Sequence, residues 1–154
     1  MTIQTQLFGA ITVDENKIIT FSDGIIGFPG LKKFIFIKDE EEADSKRVFW
    51  LQSMDDTDFA MPLVDPFAIF DEYNPVVEDE WFRALGDHTE EDLLVFLTMA
   101  VPEDVTKMTV NQRAPIIVNM NTNKAIQIII DGEEYQIHCP VYDILKSKNQ
   151  KAGE

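Results

Sequence analysis

Cysteine is nearly missing from this chain. Cys139 stands alone, so no internal disulfide can staple the fold. Histidine is almost as scarce, with only His88 and His138, which removes the commonest general base and leaves few donors for a converging metal site. Long apolar runs are absent too. The longest, Leu93 to Val101, is interrupted by Thr98 and reaches about half of the ~20 residues that span a bilayer. No basic and apolar leader occurs across Met1 to Ala10. These absences set the expectation of a cytoplasmic protein that does not enter a membrane.

Positive charge is the remaining shortage. Against 28 Asp and Glu stand 13 Lys and Arg, for a net charge of −15. The imbalance is concentrated: from Asp55 to Asp104 fifteen acids face one base, Arg83, while the rest of the chain is nearly balanced. Nucleic-acid affinity comes largely from Lys and Arg displacing counterions, so direct nucleic-acid binding is not expected. A basic protein partner fits this segment. Surplus charge also keeps a protein soluble, but that role needs no clustering.

What is present builds a folded, mainly β domain. With 154 residues, a 45% hydrophobic fraction and 11 Phe, the chain can bury a core without disulfides or a structural metal. Ile11 and Val13 precede the polar Asp14-Glu15-Asn16, and Ile18, Ile19 and Phe21 follow it, which predicts a hairpin. The glycines and Pro29 of Gly24 to Leu31 predict a compact loop. Strands are predicted over Phe34 to Ile37, Val48 to Gln52 and Phe59 to Val64, the last two separated by a turn at Asp55 to Asp58. Glu78 to Leu85 reads as a short helix closed by Gly86. Leu93 to Val101 is too continuously apolar for an amphipathic helix and reads as a central strand. Pro115 to Asn119 and Ala125 to Ile130 flank a turn, and Asp131-Gly132 signals a second hairpin returning through Tyr135 to His138. The sum is a small antiparallel β-barrel or barrel-like sandwich with one or two short helices, one domain over residues 1–145 and a polar, frayed tail over 146–154.

Catalytic motifs do not emerge. No G-x-S-x-G elbow occurs, and Gly24, Gly27 and Gly30 follow neither the P-loop nor the dinucleotide spacing. Asp55, Asp56 and Asp58 lack the glycine and distal glutamate of an EF-hand loop. His138 and Cys139 are neighbours, and neighbours on a strand point to opposite faces. No catalytic, cofactor-binding or metal-binding residue is therefore assigned, and no small-molecule substrate is expected; a carboxylate pair meeting in space is permitted by so many acids but not indicated. Recognition of protein is the function left. Phe67, Ile69, Phe70, Tyr73, Val76, Val77, Trp81 and Phe82 lie inside the acidic segment, a mixture found in protein-binding patches. Trp81, Phe82 and Leu85 read first as core at helical spacing, whereas Phe70 and Tyr73 read equally as core or interface. The candidate protein-binding residues are Asp39, Glu40, Glu41, Glu42, Phe70, Asp71, Glu72, Tyr73, Glu78, Asp79 and Glu80.

A series of short motifs points further. Phe8-Gly9, the Phe21 to Leu31 stretch ending in Gly27-Phe28-Pro29-Gly30-Leu31, Leu51-Gln52-Ser53, Asp65-Pro66, Asn111-Gln112-Arg113-Ala114-Pro115-Ile116 and Gln127 together resemble the FliW family of flagellar assembly factors, in order and spacing from Leu7 to Tyr142. Gln112 departs from the leucine more usual in the family. The resemblance implies a bacterial cytoplasmic protein with a barrel-like β fold, no catalytic residues, and two protein partners, flagellin and the translational repressor CsrA. It implies that binding CsrA relieves repression of flagellin mRNA until accumulating flagellin captures the binder. An alternative expectation is a secretion chaperone that shields flagellin without a regulatory role.

Overall fold

The computed structural model describes residues 1–38, 48–75, 77–86, 90–130 and 134–152. The strands are β1 (Thr2–Thr5), β2 (Gly9–Thr12), β3 (Ile19–Phe21), β4 (Lys33–Lys38), β5 (Val48–Ser53), β6 (Ala60–Val64), β7 (Leu93–Ala100), β8 (Thr109–Val110), β9 (Ile116–Asn119), β10 (Lys124–Gln127) and β11 (Cys139–Pro140). Two helices, α1 (Asp79–Ala84) and α2 (Tyr142–Ala152), join them.

Seven strands form a ring in the order β7-β6-β5-β4-β3-β10-β9, and β9 returns to β7. The closing pair is antiparallel and runs from Leu93 opposite Asn119 to Phe96 opposite Ile116. The expected barrel is thus observed, with one parallel contact in it, β3 beside β10. Closure removes sheet edges that would otherwise template aggregation. Beyond the ring, β8 pairs with the end of β7 and β11 with β8.

Alternation of side chains sorts the apolar residues into an inside and an outside. Ile19, Phe21, Phe34, Leu51, Leu63, Phe96, Ile116 and Val118 fill the interior, where Phe21 meets Phe34 edge to face at 5.2 Å. Each such side chain contributes about 1.5–3 kcal/mol on full burial. The outer face of β7 is apolar as well. Leu97 opposes Val64 and is covered by Ile69, Tyr73, Val141 and the Ile144 and Leu145 side chains of α2. Leu93, Val95 and Ile117 lie under Leu85, Trp81 and Phe82. Burial on both faces explains the continuous apolar run of this strand.

Polar side chains lock the turns. Buried Asn119 donates from Nδ2 to the Leu85 carbonyl (2.9 Å) while its Oδ1 accepts from the Asn121 N–H. Thr122 Oγ1 also donates to Leu85, at 2.7 Å. These bonds fasten the end of α1 to the β9–β10 turn. At the other end of the barrel, Gln52 Nε2 faces the Ser53, Thr57 and Phe59 carbonyls, and Ser53 Oγ accepts from the Asp55 and Asp56 N–H groups. The Asp55–Asp58 stretch is the expected turn. Asp55 Oδ2 accepts from the Lys33 and Lys32 N–H groups, and these bonds hold its pKa below the usual carboxylate value.

Two expectations differ from the structure. The first hairpin is β1 with β2, closed one turn earlier than expected, and Glu15–Lys17 is a 3-10 turn capped by Asp14. Ile19 to Phe21 pair with β4 and β10 instead. The stretches 128–130 and 135–138 are not a strand pair: the Ile128 and Ile130 N–H groups bond to the Pro115 and Arg113 carbonyls, while Gln112 N–H bonds to the Gln136 carbonyl. Residues 131–133 lie outside the described residues. Helix α2 runs through Ala152, and Ile144 and Leu145 pack its first turns against the outer core.

The Gly24–Leu31 loop is compact as expected, with Ile25 bridged to Phe28 and the Ile26 N–H donating to Gln127 Oε1 at 2.8 Å. Gly24 has φ +69°, and a Cβ there would lie 2.5 Å from the Pro29 carbonyl oxygen. Gly27 also has positive φ, with nothing within 4 Å of its Cβ position. Gly24→Ala is therefore expected to lower the urea midpoint well beyond the ~1 kcal/mol of backbone strain expected for Gly27→Ala; equal losses would contradict the close packing of this loop.

Candidate functional site

The outer face of β7 and β9 is not completely covered. Val95 directly opposes Ile117, and with Leu93 and Pro115 they form the base of an apolar groove of about 450 Å³. Pro66 and Phe67 line it from the 3-10 turn Pro66–Ala68. Tyr73, Asn74, Pro75 and Val77 line it from the segment that leads into α1, and Phe82 from α1 itself.

Local sequence explains each wall. Asp65 precedes Pro66, whose fixed φ suits the first position of a turn, and Asp65 Oδ1 accepts from the Phe67 N–H at 2.9 Å. The cap fixes this turn, and the Phe67 ring on it is 55% exposed. Helix α1 starts after Glu78, carries Asp79 and Glu80 in its first turn and Arg83 in its last, an order that matches the helix dipole. The Leu85 anchor beneath it turns Phe82 toward the groove.

Tyr73 holds the wall in place. It is buried, its hydroxyl donates to the Gln112 carbonyl at 2.6 Å, and its ring lies 5.1 Å from that of Tyr135. Burial, with Tyr135 beside it, raises its pKa far above that of an ordinary phenol.

The predicted site residues fall into three groups. Asp39, Glu40, Glu41 and Glu42 lie outside the described residues. Asp71, Glu72, Glu78, Asp79 and Glu80 are exposed, and Glu72 and Glu78 adjoin the groove-lining Tyr73 and Val77 in the chain. Phe70 is half-buried against the outer core, and Tyr73 is a buried wall rather than a surface ring. Leu93, Val95, Pro115 and Ile117 were not among the expected site residues. A central strand with apolar residues on both faces was the available signal, since its outer side must meet either cover or a partner. Among the described residues no group of three or more His, Cys, Asp or Glu is placed to hold a metal, and no helix is long and apolar enough to cross a membrane.

The family described as FliW protein matches residues 2–141. The chain belongs to the FliW family. It is 48% identical to the flagellar assembly factor FliW of Lachnospira eligens over 96% of this chain and 99% of that one. It is 41% identical to the flagellar assembly factor FliW of Lachnoclostridium phytofermentans, over 98% and 97%. A crystal structure of the flagellar assembly factor FliW superposes with a TM-score of 0.82 at 25% identity, covering 91% of this chain and 96% of that one. FliW membership places the chain among the flagellar assembly factors and accounts for the spaced motifs from Phe8 to Gln127.

A Tyr73 pKa raised on folding gives stability that is whole below the unfolded value of about 10 and is lost as pH rises above it. Tyr73→Phe is expected to cost about 0.5–1.5 kcal/mol near neutral pH and to make the alkaline loss of stability shallower, read from urea midpoints at about pH 8 and about pH 11. Parallel pH profiles would contradict the buried phenol.

Proposed function

We propose that this FliW-family chain acts by exchanging protein partners: it binds CsrA and relieves repression of flagellin mRNA, and cytoplasmic flagellin withdraws it from CsrA. The role is one of binding, with no catalysed reaction, cofactor or direct contact with nucleic acid. One observation carries it, the apolar groove of about 450 Å³ bordered in sequence by exposed acids. A basic partner is steered by long-range attraction, which raises association rates by roughly 10- to 1,000-fold, and is then retained by apolar contact in the groove. CsrA as a basic RNA-binding protein, and flagellin with amphipathic helices exposed before filament assembly, both have the chemistry this surface favours.

The test separates regulation from simple shielding. Purified protein added to a CsrA–RNA complex is expected to release the RNA, and flagellin added next to restore it; RNA that stays bound would favour the chaperone alternative. Affinity for CsrA is expected to fall steeply between about 50 mM and about 300 mM salt. Replacing Glu78, Asp79 and Glu80 by Gln, Asn and Gln is expected to weaken binding at low salt and flatten that slope, and an unchanged slope would remove these acids from the account.

A further inference from the structure

Closure of the ring pairs every barrel strand on both sides, so among the described strands a sheet edge is left only at β1, β2 and the two-residue β11. The β1–β2 hairpin forms a sheet of its own and keeps both edges. Its register decides which backbone groups face out. The Val13 N–H bonds to the Met1 carbonyl at 2.7 Å, so Ile3 with Ile11 is a hydrogen-bonded pair as well. Thr2 with Thr12 and Gln4 with Ala10 are then the pairs whose N–H and C=O groups point away from the hairpin. On the β1 side the next residue of that set, Gln6, donates its N–H to the Thr57 carbonyl at 3.2 Å. Gln6 and the Phe8 ring, 5.8 Å from that of Trp50, fasten the hairpin to the barrel at its turn. On the β2 side Ala10 and Thr12 are exposed, and among the described residues no hydrogen bond reaches their outward groups.

We infer that the β2 edge pairs with the β2 edge of a second copy of this chain, antiparallel about a two-fold axis at Ile11, so that two hairpins form one four-stranded sheet. With the two Ile11 residues opposite each other, Ala10 of each copy stands opposite Thr12 of the other, and each such pair exchanges both N–H···O bonds. The contact is the same on both copies and closes on itself. Charge selects this place for it. The chain has a net charge of −15, yet no charged side chain occurs from Met1 to Val13, the first being Asp14. The acids concentrated from Asp55 to Asp104 repel their counterparts on another copy, whereas the hairpin brings no carboxylate to the contact. The edge also lacks the Lys or Pro that keeps exposed strands apart, and the small Ala10 and Thr12 side chains allow close approach. A two-stranded ribbon is marginal in water, and the added strands supply the pairing it lacks. Each strand has four residues, so the interface is small and association is weak and concentration-dependent.

Sedimentation velocity of the full chain from about 5 µM to about 500 µM is expected to show the mass rising from one copy toward two. Because both copies are strongly acidic, the dissociation constant is expected to fall roughly threefold or more between about 50 mM and about 500 mM NaCl, the opposite salt dependence to that of CsrA binding. Ala10→Pro removes one outward N–H from each copy and leaves the ladder between β1 and β2 intact. It is expected to weaken self-association at least roughly tenfold with an unchanged melting temperature. Thr12→Asp keeps the backbone and sets like charges at the edge; it is expected to weaken association by a similar factor at about 50 mM NaCl and to recover part of it at about 500 mM. A chain that stays monomeric at about 500 µM in about 500 mM NaCl, or one that associates equally in wild type and both variants, would overturn the pairing. A monomer whose Ala10 and Thr12 amide signals move on adding flagellin or CsrA would give the edge to those proteins instead.

Discussion

The pairing of β7 with β9 closes the barrel and, by doing so, gives every neighbouring element something to cover. Phe96 and Ile116 face inward and complete the aromatic interior. Their neighbours Val95, Leu97 and Ile117 necessarily face outward, so the outside of this corner is as apolar as the inside. The stretch from Asp65 to Leu85, α2 and β11 serve as its cover: Ile69, Tyr73 and Val141 over one part, Leu85, Trp81 and Phe82 over another. Between the two covers Leu93 and Val95 stay partly exposed, and that gap is the groove, with the buried Ile117 at its floor.

The same covering stretch, from Asp65 to Leu85, carries six acids against one base, Arg83. A segment laid over an apolar face must turn its polar residues outward, so Asp71, Glu72, Glu78, Asp79 and Glu80 are exposed where Ile69, Tyr73 and Leu85 are buried. Apolar groove and acidic border are therefore two sides of one construction. Hydrogen bonds keep it in one arrangement, from the Asp65 cap on Phe67 to the Tyr73 hydroxyl on Gln112 and the Asn119 amide on Leu85. Each spans a junction between cover and barrel or fixes a turn within the cover.

Much of this was legible in the residues. Apolar runs bounded by turn formers located β4, β5, β6, β7, β9 and β10, and the glycine-rich loop and α1 fell where their signals stood. The misplaced hairpin had a different cause. The β1–β2 turn at Gln6-Leu7-Phe8 has no Pro, Asn or Gly within it and is closed by Gly9 at φ +69° and by the Thr5 hydroxyl, which bonds the Gly9 carbonyl and the Phe8 N–H; the polar run at Asp14 outweighed that single glycine. Asp131-Gly132 misled similarly, because the flanking backbone found partners in Arg113, Pro115 and Gln112. Tyr73 could not be assigned to core or surface from the chain alone, since its partner is 39 residues away. The acids were visible at once; the groove they border was not, because Leu93, Val95 and Ile117 come together only when the ring closes.

Methyl NMR gives the most direct test of the central claim that partners engage the groove over the outer face of β7 and β9. Ile116 and Ile117 are adjacent in sequence, and one points into the barrel while the other lines the groove. Titration with flagellin or CsrA is predicted to shift the Ile117 and Val95 methyl signals and leave Ile116 unmoved. Shifts centred on Ile25 and Ile26 at the glycine loop, with Ile117 and Val95 unchanged, would contradict the account.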